Sequence, residues 1–148
     1  MTSPQRAIIL GAGQGSRLLP LTARMPKCLL DLSGHSMLEW QLRSLDQVGV
    51  ADAVVVTGFH PELVEAEIKR VPLSSLRVRT LYNPFYKLAD NLASCWMARA
   101  ELSGPCLILN GDTLFEPAIA ARLLAAPDAP ITVTIDRKAE GYDADDMK

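Results

Sequence analysis

Three glycines at alternate positions, Gly11, Gly13 and Gly15, follow a short apolar run, Ala7-Ile8-Ile9-Leu10. Ser16 and Arg17 come next, and Pro26-Lys27 lies a little further on. Glycine carries no Cβ, so such a stretch can turn sharply and bring main-chain N–H groups close to an anion. Arg17 and Lys27 add two fixed positive charges near the same place. Bare amide donors, little steric bulk and cations together suit a polyphosphate, above all a nucleoside triphosphate.

Two familiar glycine loops fail on spacing. The dinucleotide fingerprint G-x-G-x-x-G needs glycine at its sixth place, where this chain has Ser16. Its acidic residue belongs at the end of the second strand. Asp31 lies at a comparable distance, but the second strand is expected to end near Thr57. A phosphate-binding G-x-x-x-x-G-K-[ST] loop fails too, because no lysine directly follows these glycines. A plain glycine-rich turn would leave Arg17 and Lys27 unexplained.

The elements that must hold this loop are legible in the pattern. Ala7–Leu10 reads as a buried strand. Ser36 and Glu39 have capping-box spacing, and Leu38, Leu42 and Leu45 form one buried stripe of the helix they open. Gly49 stands where a helix C-terminal glycine belongs. Ala53–Thr57 is a continuous apolar strand, suited to a parallel sheet covered on both faces. Pro61 opens a helix to about Arg70, and Pro72 stops it. Leu76–Tyr82 alternates like a strand with one wet face. Helix is expected over 92–102, strand over 106–110, helix over 117–126 and a last strand over 131–135. Alternating strands and helices make this an α/β chain with a mostly parallel sheet. In such sheets ligands sit outside the carboxyl ends of the strands. The glycine loop, Thr57-Gly58-Phe59 and Asn110-Gly111-Asp112 all fall there, which suggests one shared site.

The 148 residues suffice for one domain with a real core. At 49% hydrophobic and 22% charged residues, the balance is that of a globular chain. A net charge of −2 without a basic tract argues against bulk nucleic-acid binding. No apolar stretch approaches a membrane span, and no apolar signal core precedes the first strand. Cys28, Cys95 and Cys106 form no C-x-x-C pair, so neither zinc nor a disulfide framework is indicated. Free thiols suit the cytoplasm. Cys95, Cys106, Trp96 and Met97 are expected in the core. No feature selects an oligomeric state.

The run from Gly11 to Thr22, followed by Pro26-Lys27, resembles the signature of nucleotidyltransferases that activate phosphorylated acceptors, such as the sugar-1-phosphate nucleotidylyltransferases. Asn110-Gly111-Asp112 resembles that family's metal-binding segment. Tyr86–Ser94 is similar to one branch, the bacterial phosphocholine and phosphonate cytidylyltransferases, as is the final Asp145-Asp146-Met147-Lys148. That branch tends to carry two adjacent asparagines where this chain has Asp90-Asn91. The resemblance implies a Rossmann-like three-layer α/β/α fold with a mostly parallel sheet, of the nucleotide-diphospho-sugar transferase type. It implies transfer of a nucleotidyl group, with CTP favoured as donor, to a small phosphorylated acceptor such as phosphocholine, with release of pyrophosphate. Mg²⁺ is the implied cofactor and Asp112 its ligand. Arg17 and Lys27 would be the catalytic cations. Leu10, Gly11, Ala12, Gly13, Gly15, Ser16, Gly58, Asn91, Ser94 and Gly111 would contact the nucleotide. Tyr86 and Tyr142 could share an aromatic cage for a quaternary ammonium group.

Family members run well past this length and carry a second metal-binding aspartate on a later strand. Residues 1–148 are therefore expected to be the N-terminal, nucleotide-binding portion of one domain, incomplete at the C-terminus and lacking much of the acceptor half. A sugar-1-phosphate nucleotidylyltransferase and a non-catalytic nucleotide-binding fragment are the competing readings.

Overall fold

The computed structural model describes residues 6–135. Four strands, β1 (Arg6–Leu10), β4 (Asp52–Thr57), β5 (Arg77–Tyr82) and β6 (Cys106–Asn110), form one sheet in the order β5-β4-β1-β6, parallel throughout. Of the five strands expected, those over 7–10, 53–57, 76–82 and 106–110 are in it. A two-stranded hairpin, β2 (Asp31–Leu32) and β3 (His35–Ser36), was not expected. Ser33 and Gly34 both have positive φ at its turn, 59° and 87°, as a tight hairpin connection requires.

Four α-helices complete the described chain: α1 (Met37–Gln47), α2 (Pro61–Arg70), α3 (Asn91–Met97) and α4 (Pro117–Leu124). Short 3₁₀ turns occupy Ser16–Leu18, Lys27–Leu29 and Arg99–Leu102. Alternate residues of each central strand face opposite ways. Ala7, Ile9, Ala53 and Val55 pack with Leu38, Leu42, Leu45 and Val64 of α1 and α2. Ile8, Leu10 and Val56 pack on the other face with Ala98, just beyond α3. Helical segments therefore cover both faces, the three-layer α/β/α arrangement.

Several expectations need correction. The capping box forms only by half. Ser36 Oγ accepts the Glu39 N–H at 3.0 Å, but the Glu39 carboxylate turns away, into the protein. There Arg43 and Arg70 donate to it, at 2.6 and 2.7 Å, and His35 Nδ1 lies 3.0 Å off. Burial alone would raise the Glu39 carboxyl, but these partners outweigh it and hold the pKa below its ordinary value. Two guanidinium partners win over one backbone N–H. The helix expected over 92–102 is α-helical only through Met97, and Asp90 caps it by accepting the Leu92 N–H at 2.9 Å. Trp96 is 66% exposed and is not a core residue. Cys95 and Cys106 are half-buried, and Cys28 is the buried thiol. Residues 131–135 form no strand, and Ile131, Val133 and Ile135 are exposed. The alternation fits a strand, but the segment forms no ladder with a described strand, although β6 pairs on one side only among them. Tyr142, Asp143, Asp145 and Asp146 lie outside the described residues.

Candidate active site

β1 lies between β4 and β6, and its carboxyl end is where the chain passes to either side. That is the switch point at which open α/β sheets place ligands. Register puts Leu10 beside Val56 on one flank and Asn110 on the other. The three loops thus leave the sheet at one level, and main-chain bonds tie them there. Gly11 N–H donates to Val56 C=O at 3.0 Å, Gly111 N–H to Leu10 C=O at 3.0 Å, and Phe59 N–H to Ala12 C=O at 3.0 Å.

Such close approach explains two glycines. A Cβ at Gly111 would lie 2.7 Å from the Leu10 carbonyl oxygen and 2.8 Å from the Gly11 Cα. A Cβ at Gly58 would lie 2.5 Å from the Tyr86 Cβ. Gly13 is different: its Cβ position is empty within 4 Å. That glycine leaves space at the loop surface instead of fitting a neighbour.

The glycine loop is braced from behind. Thr22 is buried, and its hydroxyl donates to Gly15 C=O at 2.8 Å, while Gln14 Nε2 donates to Thr22 C=O at 3.2 Å. Gly15 has φ 75°, and a Cβ there would strike the aliphatic stem of Lys27 at 2.9 Å. Backbone N–H groups of residues 12 to 15 donate to no protein acceptor among the described residues. Gly13 is exposed and Gln14 and Gly15 are half-buried, so these amides are open to water or to a ligand.

Lys27 crosses from this loop to the far flank. Its Nζ donates to Asp112 Oδ2 at 2.5 Å, across 85 residues of sequence. Both side chains keep access to solvent, at 29% and 41% exposure. Arg17 is exposed and forms no ion pair among the described residues. Asn91 reaches the same edge, where its Nδ2 donates to Asn110 Oδ1 at 3.0 Å. Ser94 does not. It is buried, and its hydroxyl accepts from Asn83 Nδ2 at 3.1 Å. Asn83 in turn accepts the Phe85 N–H and donates its own N–H to Thr57 C=O, so Ser94 belongs to the support beneath the loops. Cys28 lies under Gly11, with its thiol pushed up to about 12 by burial.

A family model described as a MobA-like NTP transferase domain matches residues 7–142. The chain belongs to the MobA-like NTP transferase family. Among curated relatives of this NTP transferase domain is the CMP-5'-(3-aminopropyl)phosphonate synthase of Streptomyces rubellomurinus, 38% identical over 126 residues, covering 85% of this chain and 20% of that protein. The choline-phosphate cytidylyltransferase of Streptococcus pneumoniae is 29% identical over 111 residues, covering 75% and 46%. The solved CTP:phosphocholine cytidylyltransferase from Streptococcus pneumoniae superposes with a TM-score of 0.66 at 27% identity, over 76% of this chain and 49% of that one. An inositol-1-phosphate CTP transferase from T. maritima shares the fold, with a TM-score of 0.72 at 22% identity over 85% and 51%. The chain thus spans one fifth to about half of the length of these proteins.

Two supporting residues of the candidate site escape the motif reading. Asn83 reads as a turn residue before Pro84 and gives no other signal. Gln41 is different: it falls three residues after Leu38, on the apolar stripe of α1, and a polar residue there is itself the signal.

Proposed function

We propose that the protein transfers a cytidylyl group from CTP to a small amine-bearing phosphate or phosphonate, releasing pyrophosphate. The observation that carries this reading is the Lys27–Asp112 pair, 2.5 Å long, beside four amides with no protein acceptor. The likeness to a choline-phosphate cytidylyltransferase and an aminopropylphosphonate synthase supports CTP and such acceptors.

The amides of residues 12 to 15 take triphosphate oxygens, with Leu10, Gly11 and Ser16 shaping the same cradle. Gly58, Asn91 and Gly111 border the nucleoside. An acceptor oxygen attacks the α-phosphorus in line, the bond to the bridging oxygen breaks, and pyrophosphate leaves with that electron pair. No protein nucleophile is needed; the protein positions the reactants and neutralises charge. Lys27 acts on the α-phosphate and the incoming oxygen. Arg17 offsets charge on the leaving group.

Asp112 offers one hard carboxylate oxygen, and no cluster of three His, Cys, Asp or Glu side chains occurs among the described residues. That donor set fits Mg²⁺, which takes one or two carboxylates and completes its shell with water and phosphate oxygens. It does not fit zinc, which favours nitrogen and sulfur ligands. Asp112 would hold the ion, which supplies further charge neutralisation at the phosphates. No described helix is long and apolar enough to cross a membrane, and the three cysteines are free, which suits the cytoplasm.

The test is acceptor-dependent pyrophosphate release from CTP and Mg²⁺ by the intact gene product. Phosphocholine, 3-aminopropylphosphonate and a sugar 1-phosphate are supplied in parallel. Turnover confined to the first two supports the proposal. Turnover confined to the sugar 1-phosphate would replace it with sugar activation, and CTP binding without turnover would leave a nucleotide-binding module.

A further inference from the structure

Gln41 is fully buried in the middle of α1, yet among the described residues its side chain hydrogen-bonds only to the Asp112 turn. Its Nε2 donates to Asn110 C=O at 2.8 Å and to Thr113 C=O at 2.7 Å. Those two carbonyls bracket Gly111 and Asp112. A carboxamide nitrogen carries two hydrogens, and both are used. The Oε1 of Gln41 finds no donor among the described residues. A buried acceptor without a partner is unfavourable, so the side chain is held for its donors alone.

The base of this clamp is rigid. Leu38, Leu42 and Leu45 anchor α1 in the core on either side of Gln41. The Ser36 cap holds its start, and a Val50 N–H to Leu45 C=O bond at 3.1 Å closes its end at Gly49. The turn is less well held by itself. β6 pairs only with β1 among the described strands. Inside the turn, Thr113 N–H reaches Asn110 C=O at a long 3.3 Å. Gly111 N–H ties the turn to β1, and Gln41 ties both its ends to α1. A core helix on one side and the central strand on the other hold the main chain of the turn from which the Asp112 carboxylate meets Lys27.

We propose that Gln41 is a positioning residue for nucleotidyl transfer, a main-chain clamp that fixes the Asp112 carboxylate where the divalent cation meets the nucleotide. The inference rests on the reading of Asp112 as the metal-binding residue, so its test separates the two. CTP binding is measured by calorimetry with and without Mg²⁺ for the wild type, Gln41→Met, Gln41→Leu, Asp112→Asn and the Gln41→Met/Asp112→Asn double variant, with thermal melting alongside. The quantity read is the factor by which Mg²⁺ strengthens CTP binding.

For Gln41→Met and Gln41→Leu, metal-free CTP affinity stays within about twofold of wild type and the Mg²⁺ factor falls about tenfold, in line with two lost hydrogen bonds. In the Asp112→Asn background, Gln41→Met causes no further loss, because both act through one carboxylate. An unchanged Mg²⁺ factor in both Gln41 variants overturns the proposal, whatever the melting shows. Equal losses with and without Mg²⁺, an additive double variant, or failure of both Gln41 variants to fold make Gln41 a packing residue and overturn it equally. Asp112→Asn with the full Mg²⁺ factor refutes the metal reading itself, independently of Gln41.

Discussion

Replacing Gly111 by alanine tests the close packing of the site. The new methyl group would lie 2.7 Å from the Leu10 carbonyl oxygen and 2.8 Å from the Gly11 Cα, both backbone. Neither can retreat easily, because Leu10 is buried and Gly11 is bonded to Val56 on the far side. The 110–113 turn must move instead. Restoring an ordinary contact of about 3.4 Å requires a shift of roughly 0.7 Å, and overpacking of this kind costs about 2 kcal/mol. For a chain of this size that is a melting shift of roughly 4–8 °C. Asp112 sits one residue on and moves away from Lys27. A 1 Å misplacement at a reacting centre can cost about a hundredfold, so a shift of roughly 0.7 Å predicts about a 25-fold loss in kcat. The matched control is Gly13→Ala, whose methyl group meets nothing within 4 Å. It should leave melting nearly unchanged and raise KM for CTP by about tenfold if the proposed triphosphate cradle uses that space. Thermal melting and steady-state pyrophosphate release on both variants supply the numbers. Gly111→Ala with wild-type melting and kcat would refute the packing argument. Gly13→Ala with wild-type KM would refute the placement of the triphosphate.

Other expectations follow from single contacts. Lys27→Met should lower kcat by about 10²–10³, the usual effect of removing one donor aimed at transition-state charge, with melting little changed. Asp46 accepts the Ser74 N–H first of all and then those of Ser75 and Leu76, and its pKa falls to about 2 despite some burial. Glu39 is depressed as well. A depressed carboxyl stabilises the fold above its unfolded pKa, about 4, and loses that contribution as pH falls through the folded value. Denaturant midpoints should therefore hold near neutral pH and drop between about pH 5 and 2, and Asp46→Asn should flatten part of that drop. Cys28, buried with its thiol pushed up to about 12, should resist iodoacetamide at pH 8 until the protein unfolds, as mass spectrometry of the labelled peptides will show.

Much of this was legible because local pattern and tertiary role agree. Ala7–Leu10 and Ala53–Thr57 are apolar on both faces, and both lie inside the sheet. The glycine spacing alone separates this loop from the dinucleotide fingerprint and the G-x-x-x-x-G-K-[ST] turn. What escaped depended on partners far away in sequence. Nothing local to Glu39 says that Arg70 will compete with the Ser36 N–H for its carboxylate. Ser94 has the composition of a ligand contact, yet Asn83 takes its hydroxyl beneath the surface. The alternation at 131–135 states a preference for strand, but no ladder forms there even though β6 keeps an open edge among the described strands, so local preference alone does not make a strand. Gln41 was readable in part: its place on the apolar stripe marks it as buried, while its targets at Asn110 and Thr113 lie about 70 residues on.

The most direct measurement of the central claim is the CTP-to-acceptor stoichiometry of the intact gene product and its Asp112→Asn variant. With Mg²⁺ and a small phosphorylated amine, the wild type should form one cytidylyl conjugate for each pyrophosphate released, and the variant should release almost none. Pyrophosphate release by Asp112→Asn at the wild-type rate, or CTP consumption that ignores the acceptor, would contradict the account.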